Sequence, residues 1–323
     1  MKYFLTCLAA ALLVAAGCGD RSNGKLVVRV ADVHEQSYPT VRGLAEMGRI
    51  VSEKTGGVVR FEIFHSGQLA GGETDSLTQT RAGDIHINRV SAAPLEQFSA
   101  KIGVLSLPYI FRSAEHQWNV LNGPIGDELL ASLSDANLVG LGWMDSGARS
   151  FYCTKRIEKP QDLAGLQIRV QDSDVATAMV RILGASPRSV PFTEVYSALQ
   201  RGVIDGAENN LPSYHSKGHY EVARFFCRDE HNRLPEVIVA SRTWWEKLSP
   251  EHSKIIRTAA RQCQDYQRRL WAEQEAAALQ AVQKAGCTII DPDRAAFRKA
   301  VEPLYEQYRG KYGDLAERIW AVP

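Results

Sequence analysis

The sequence has little excess of either charge, because 38 Lys and Arg residues stand against 37 Asp and Glu residues over 323 positions. It contains no long basic run, so nucleic acid and an anionic membrane surface are not indicated as partners. Beyond residue 16, no stretch approaches the 18 or so apolar residues of a membrane-spanning helix. Hydrophobic residues still make up 45% of the chain. This composition and length predict a globular protein of about two domains.

The motifs of common catalytic and metal sites are also missing from the sequence. It has no G-x-S-x-G, no Walker loop, no H-E-x-x-H and no G-x-G-x-x-G after a predicted strand. The cysteines form no C-x-x-C and no Cys/His cluster with zinc spacing. His215 and His219 are four residues apart without a third ligand nearby, which favours surface or capping roles. We expect no metal and no cofactor.

The N-terminus does carry a strong signal. A mostly apolar stretch of about 13 residues, too short to span a bilayer, runs from Phe4 to Ala16. It predicts a secretory signal peptide over residues 1–17. Val14-Ala15-Ala16-Gly17-Cys18 resembles the lipobox of bacterial lipoproteins, in which the cysteine is diacylated; the alternative is an ordinary A-x-A signal with an incidental cysteine. We therefore predict a periplasmic protein anchored by lipid at Cys18, with residues 18–24 as its tether.

Four further cysteines would lie in an oxidising compartment. Cys153 and Cys227 both occur in strand-like segments, so a disulfide between them is one possibility, and two free thiols are the other. Cys263 lies within a predicted helix and is expected to be a small buried apolar residue.

Strand-like and helix-like segments alternate along the mature chain, which favours an α/β fold with largely parallel sheets. Thr193 is predicted to cap a helix that runs to Arg201. A much longer helix is predicted from Ser249, as N-cap, to about Ala285. At 1.5 Å per residue it would extend about 50 Å, enough to follow more than one lobe. No flexible linker divides the chain, so we expect it to cross between two lobes more than once.

Polar residues follow or end several predicted strands. Arg89, Arg149, Arg169 and Asn209 all have this placement. Because ligands bind at the carboxyl ends of strands in open α/β sheets, these side chains are expected to converge on one cleft. The planar guanidinium of arginine holds a carboxylate through two parallel hydrogen bonds. For any single arginine, a salt bridge or a helix C-cap is the alternative role.

Five segments follow one another in the order and spacing of the solute-binding proteins of tripartite ATP-independent periplasmic (TRAP) transporters. They are residues 68–73, 107–111, 162–169, 191–200 and 203–209, and the resemblance covers nearly all of residues 25–310. It implies two α/β lobes, joined by crossing strands and a long shared helix, that close over a ligand. We place residues 25–146 and 235–274 in the first lobe, and residues 147–234 and 275–323 in the second.

The resemblance also implies roles for individual residues. Arg169 matches the principal carboxylate-binding arginine of the family, Arg149 a second arginine near the acid, and Asn209 the asparagine of the D-G-x-E-N motif. Glu73 matches the acidic residue of the Q-L-G-x-E loop, which often faces the polar end of the ligand. The sequence departs from the family at Ala70, where glycine is usual and alanine is expected to stiffen the loop, and at His86, where aspartate is common.

The segments 207–214 and 230–236, together with Arg89, resemble the branch of the family associated with sugar acids, especially hexuronates. The candidates for contacts with the hydroxyl groups of such a ligand are His34, Glu73, Asn88, Asn210 and His231. The expected function is a receptor that delivers a sugar acid to membrane permease subunits. Two alternatives stay open: an exported enzyme with Glu73 or His231 as general base, and a binding protein that serves a sensor kinase.

Overall fold

The computed structural model describes residues 25–323, so the predicted signal peptide, the tether and Cys18 lie outside the described residues. Two mixed α/β lobes make up this part of the chain. The strands are β1 Leu26–Ala31, β2 Val59–Phe64, β3 Ile87–Ser91, β4 Leu138–Met144, β5 Arg149–Cys153, β6 Gln167–Val170, β7 Ser186–Ser189, β8 Gly206–Asn209, β9 Phe225–Asn232, β10 Glu236–Ser241 and β11 Thr288–Ile290.

The helices range from single turns to the 35 residues of α11. They are α1 Pro39–Lys54, α2 Glu73–Ala82, α3 Ala92–Leu95, α4 Ala114–Leu121, α5 Pro124–Ala131, α6 Asp174–Ile182, α7 Val195–Gln200, α8 Leu211–Ser216, α9 His219–Val222, α10 Arg242–Trp245, α11 Pro250–Lys284, α12 Arg294–Val301 and α13 Pro303–Ala321. Within residues 25–323, none of these helices is both long and apolar enough to cross a membrane.

Each lobe is built on one sheet. The first sheet has the order β2-β1-β3-β10-β4 and the second the order β11-β9-β5-β8-β6-β7. The expectation of largely parallel sheets is wrong in part: β10 is antiparallel to β3 and β4, and β5 is antiparallel to β8 and β9. The reason is the crossing itself, because β4–β5 and β9–β10 are each joined by a short segment that passes directly from one sheet to the other.

Helix α11 serves both lobes, as its length predicts. It begins after Ser249, whose hydroxyl accepts a hydrogen bond from the His252 amide, and has Pro250 as its first residue. Ile256 and Cys263 on this helix are buried in the core of the first lobe. Ala278 and Val282, about five turns further on, are buried in a core of the second lobe. The prediction that Cys263 is a buried apolar residue is confirmed.

Helix α13 also passes between the lobes, which corrects part of the expected division. Leu304, near its start, packs in a core of the second lobe. Tyr312, Leu315 and Ile319 pack instead in the first-lobe core around Ile102. The assignment of all of residues 275–323 to the second lobe is therefore wrong for the end of α13, because the apolar face of that helix is buried against the other lobe.

The two crossing segments are tied to α11 and to each other. The Gln267 side chain accepts a hydrogen bond from the Asp145 amide at 2.8 Å and donates one to the Asp145 carbonyl at 2.9 Å. The Ser146 hydroxyl donates to the Leu234 carbonyl of the other segment. These bonds position the polypeptide where any rotation of one lobe against the other must occur.

Cys153 and Cys227 are free, buried thiols. They lie on the neighbouring strands β5 and β9, but Cys153 is opposite Phe225 and Cys227 is opposite Phe151. The two cysteines are thus diagonal to each other in the ladder. Of the two possibilities that the sequence left open, the structure has the free thiols.

Candidate functional site

The polar ends of the strands face each other across the contact between the lobes, and several hydrogen bonds connect the two sides. The Tyr38 hydroxyl of the first lobe lies 2.8 Å from the Ser213 hydroxyl and donates to Asn210 Oδ1 at 3.3 Å. The Thr74 hydroxyl donates to Asp172 at 2.7 Å. The structure is therefore that of closed lobes.

Thr193 belongs to this contact and caps no helix, which corrects its predicted role. It lies inside the short 3₁₀ turn Phe192–Glu194, and its hydroxyl donates to the Gly71 carbonyl of the first lobe at 2.8 Å. A residue that reads as a cap in the sequence thus connects the lobes, since the segment before α7 turns toward the first lobe.

Replacing Tyr38 with phenylalanine is expected to raise the dissociation constant of a ligand held between the lobes. The hydroxyl bonds to Asn210 and Ser213 need the closed arrangement, so losing them should weaken binding about 2- to 10-fold. Titration calorimetry would measure the change. Tyr266→Phe is the control, because the Tyr266 hydroxyl only accepts from the exposed Arg42. Equal affinities for the Tyr38 variant and the original protein would contradict the role of this bond in closure.

Arg169 is a buried cation without a carboxylate partner in the described part of the chain. Its side chain belongs to β6, the residue is 5% exposed, and the one hydrogen bond within the described chain runs from Nε to the Val190 carbonyl at 2.9 Å. No ion pair within 4.0 Å involves it there, in contrast to Arg89 and Arg149. Burial lowers the pKa of the Arg169 guanidinium. Its remaining N–H groups suit the carboxylate of a bound anion.

Arg149 is largely engaged by other protein groups, so it is less available to a ligand than expected. Its Nε donates to Glu208 Oε2 at 2.5 Å, its Nη2 donates to Glu208 Oε1 and to the Glu208 carbonyl, both at 2.8 Å, and its Nη1 donates to Asn209 Oδ1 at 3.1 Å. Four of its five N–H groups are used, so at most one remains for a ligand. Burial opposes ionisation of Glu208, but the adjacent Arg149 outweighs it and lowers the pKa of Glu208 to about 2.

Asn209 ends β8 beside this ion pair. Its side-chain oxygen accepts hydrogen bonds from Arg149 and from the Asn210 amide at 2.8 Å. Its side-chain nitrogen donates no hydrogen bond within residues 25–323. The predicted carboxylate-binding set is thus brought together in one sheet, with Arg169 and the Asn209 amide nitrogen as the available donors.

His231 is fixed between two carboxylates. Its Nδ1 lies 2.7 Å from Asp229 Oδ2, and its Nε2 lies 3.6 Å from Glu208 Oε2. Burial lowers the pKa of His231, but the Asp229 and Glu208 charges outweigh it and raise the pKa to about 9. At neutral pH the imidazole is protonated, so it is neither a general base nor an acceptor for ligand hydroxyls.

We expect the free energy of unfolding to fall between pH 6.5 and pH 9. A histidine whose pKa is raised on folding contributes its full stabilisation below its ordinary value of 6.5 and loses it as the pH rises through about 9. Urea unfolding of the protein and of His231→Gln across this range would measure the effect. The variant should lose the part of the pH dependence that is due to this residue; identical pH profiles would contradict it.

Arg89 is also placed differently from the prediction that it contacts ligand. It is 1% exposed and donates to Asp32, Glu73, Glu236 and His34, with 2.9 Å to Glu73 and 2.7 Å to Glu236. All five of its N–H groups have partners, so none is left for a ligand. Arg89 instead holds the acidic groups of the first lobe in place, which corrects its expected role.

Glu73 and His34 lie where the first lobe meets the second. Glu73 is the first residue of α2; it accepts from Arg89 and the Ser91 amide with one oxygen and from Gln171 of the second lobe, at 3.2 Å, with the other. The His34 ring stacks on Tyr38 at 3.9 Å between centroids. Burial and the nearby Arg89 lower the pKa of His34 to about 4, so it is neutral and its Nε2 remains for a ligand.

Asn210 has mainly a structural role in the closed form. It is the N-cap of α8, where its Oδ1 accepts from the Ser213 amide at 2.8 Å, and it also accepts from Tyr38. Asn88 bonds within the first lobe, where its amide donates to Ser76 and Thr80. Only the amide nitrogen of Asn210 is left for a ligand.

Sequence reasoning missed the aromatic contacts between the lobes. The Phe192 ring of the second lobe lies 5.0 Å from the His34 ring, and it lies 6.0 Å from the His219 ring. Phe192 is part of one of the five family-like segments, but no pattern distinguishes such a ring from an ordinary core residue. Gln171 and Asp172, which contact the first lobe, lie just after β6 and gave no signal of their own.

Two lobes on separate sheets, two crossing segments, a shared helix and a buried unpaired cation between the lobes define a two-lobed solute-binding protein. The chain matches the model of bacterial extracellular solute-binding protein, family 7 (DctP), over residues 30–311, and belongs to that family. It is 37% identical to a solute-binding protein of Chromohalobacter salexigens over 290 residues, which cover 89% of this chain and 86% of that protein.

Solved structures of similar proteins have the same fold. A TRAP periplasmic solute-binding protein from Xanthobacter autotrophicus Py2, crystallised with β-D-galacturonate, has a TM-score of 0.89 and 40% identity, covering 92% of this chain and 100% of that one. One from Pseudomonas putida F1 with bound D-glucuronate has a TM-score of 0.90 and 35% identity, covering 92% and 97%. The predicted α/β fold with two lobes and a shared helix is confirmed.

Proposed function

We propose that this protein is the extracytoplasmic receptor of a TRAP transporter and that it captures a hexuronate, such as glucuronate or galacturonate, by closing its two lobes. The buried guanidinium of Arg169, which has no carboxylate partner in the described chain, is the observation that carries the proposal. The uronates bound to similar proteins support the choice of ligand.

The two sides of the cleft suit the two ends of a uronate. On the second lobe, Arg169 and the Asn209 amide are donors for the carboxylate, with the last N–H of Arg149 beside them. On the first lobe, Glu73 and the neutral His34 offer acceptors or a donor for sugar hydroxyls. A ligand that contacts both sides stabilises the closed state by its difference in affinity for the closed and open forms.

Binding and release need no covalent chemistry, and the site supports a receptor better than an enzyme. Both candidate bases are engaged: His231 is protonated between carboxylates, and Glu73 accepts from Arg89, Ser91 and Gln171. We further propose a periplasmic location, anchorage through Cys18 and delivery of the ligand to membrane permease subunits. Incorporation of a radiolabelled fatty acid, lost in Cys18→Ser, tests the anchor.

Thermal melting tests the ligand. The chain from residue 19 onward, which contains every described residue, is melted with hexuronates, aldonates, C4-dicarboxylates, 2-oxo acids and sialate. A ligand at about 100 times its dissociation constant should add about 2.7 kcal/mol and raise the midpoint by several degrees. We expect the largest shift with a hexuronate. If only another acid shifts the melting midpoint, the proposed hexuronate ligand is rejected. If no acid shifts it, the proposed receptor function is rejected.

A further inference from the structure

His219 is a buried histidine with a polar atom that the closed structure does not use. The residue is 1% exposed and begins the short helix α9. Its Nδ1 lies 2.8 Å from the Tyr152 hydroxyl, whereas its Nε2 is buried and has no hydrogen-bond partner in the described part of the chain. A buried polar atom left in this way lowers stability unless something outside the chain satisfies it.

The contact with Tyr152 favours one position for the imidazole hydrogen of His219. The Tyr152 hydroxyl has no other hydrogen bond within residues 25–323. Donation from this hydroxyl to His219 Nδ1 uses the hydroxyl hydrogen, whereas the reverse direction would leave that hydrogen without an acceptor in the described chain. Burial and the nearby Arg169 charge lower the pKa of His219 to about 3, so the ring is neutral. A neutral imidazole that accepts at Nδ1 carries its hydrogen at Nε2. The unpartnered atom is therefore a donor, which calls for an acceptor.

The fold places this donor on the same side of the sheet as Arg169. Arg169 is opposite Ala207 in the ladder of β6 and β8, and Ala207 is opposite Tyr152 in the ladder of β8 and β5. Residues that are opposite in neighbouring strands project from the same face of the sheet. Arg169 and Tyr152 therefore share a face, with the small side chain of Ala207 between them. The Tyr152 hydroxyl contacts the His219 ring through Nδ1 and so fixes the ring near this face.

A second connection leads to the same place. Arg169 Nε donates to the Val190 carbonyl, two residues before Phe192, and the Phe192 ring packs edge-on against the His219 ring at 6.0 Å. Phe192 also contacts His34 of the first lobe. His219 is thus next to the contact between the lobes, on the side of the unpaired guanidinium.

We propose that His219 is a specificity-determining residue whose Nε2–H donates to the carboxylate of the bound sugar acid, which Arg169 and His219 hold together. The proposal rests on the proposed function and adds a residue to its site. Tyr152 is a positioning residue, because its hydroxyl keeps the hydrogen of His219 on Nε2. A carboxylate oxygen satisfies both the cation and the orphan donor, whereas the hydroxyl of a neutral sugar leaves the charge of Arg169 unpaired.

The test measures dissociation constants for D-glucuronate and D-galacturonate by calorimetry. His219→Leu, which keeps a similar volume and removes the donor, should raise them about tenfold or more. His219→Gln, which restores a donor, should recover most of the affinity. His215→Leu is the matched control: His215 also has an unpartnered buried nitrogen, but its ring stacks on Tyr220.

Nitrogen-15 NMR of histidine-labelled protein provides a readout independent of variant folding. We expect the Nε2–H form of His219 in the unliganded protein and a downfield shift of that proton when glucuronate binds, with no such shift for His215. The other tautomer, an unmoved resonance or full affinity in His219→Leu would overturn the proposal. If Arg169→Ala weakens binding and His219→Leu does not, the receptor proposal stands and the role of His219 is rejected. If no acid binds the original protein, both proposals fail.

Discussion

Arg169→Ala is expected to weaken binding of the sugar acid strongly without destabilising the unliganded protein. The bound carboxylate would lose its buried cationic partner, which costs about 2 to 5 kcal/mol, or about 30- to 5000-fold in affinity. In the unliganded protein, however, the substitution removes a buried cation that has no carboxylate partner in the described structure. We therefore expect an unfolding midpoint equal to or above that of the original chain, measured by calorimetry alongside the dissociation constant.

Arg188 provides the matched control for this experiment. It is opposite Arg169 on the neighbouring strand β7, but it is exposed and its Nε donates to the Gln167 side chain. Arg188→Ala should bind like the original protein. Arg169→Lys keeps the charge but loses the planar fork, so it should bind with intermediate affinity. Wild-type affinity in Arg169→Ala, or a clear loss of stability without ligand, would return Arg169 to a structural role.

Arg149→Ala is expected to have the opposite profile, with a large loss of stability in the unliganded protein. The substitution would leave the buried Glu208 carboxylate without the cation that lowers its pKa. Removing one partner of a buried ion pair costs about 3 to 5 kcal/mol in the free energy of unfolding. Urea unfolding at neutral pH measures this loss, and the slope with urea concentration shows whether the folded state remains compact.

Two further variants distinguish the effect of breaking a buried ion pair from the effect of losing any arginine. Arg149→Met combined with Glu208→Leu removes both charges and should recover much of the stability lost in Arg149→Ala. Arg49→Ala breaks exposed pairs with Glu46 and Glu53 and should change stability little. If Arg149→Ala were as stable as the original chain and failed only to bind the acid, Arg149 would be primarily a ligand contact, as the family resemblance implies.

Much of the architecture could be predicted because its signals are local. Ser249 and Pro250 mark the start of α11, and Gly286, with a φ of +83°, follows its end. Each signal lies within a few residues of the helix end that it predicts. Alternating strand and helix patterns predicted the class of fold in the same way. Sheet direction was harder, because whether β10 runs parallel or antiparallel to β3 depends on a strand about 150 residues away.

The three arginines show what local patterns leave open. Each lies in a strand, and the sequence distinguishes the three only through a family resemblance. The partners that decide their roles are distant in sequence: Asp32 is 57 residues from Arg89, and Glu208 is 59 residues from Arg149. No carboxylate of the described chain lies within 4.0 Å of the Arg169 guanidinium.

The sequence by itself therefore determined the α/β class, the long helix α11 and the arginines considered as candidates for a carboxylate site, and its resemblance to a family added the two lobes. The tertiary structure alone decided which arginine is available, because a buried guanidinium is either neutralised by a carboxylate from a distant strand or left for a ligand. It also decided that His219 is buried beside Tyr152 with an Nε2 that has no partner in the described chain, although its spacing in sequence favoured a surface or capping role. The partner of a buried polar group depends on which distant segments the sheet brings next to it, and spacing along the chain does not predict this.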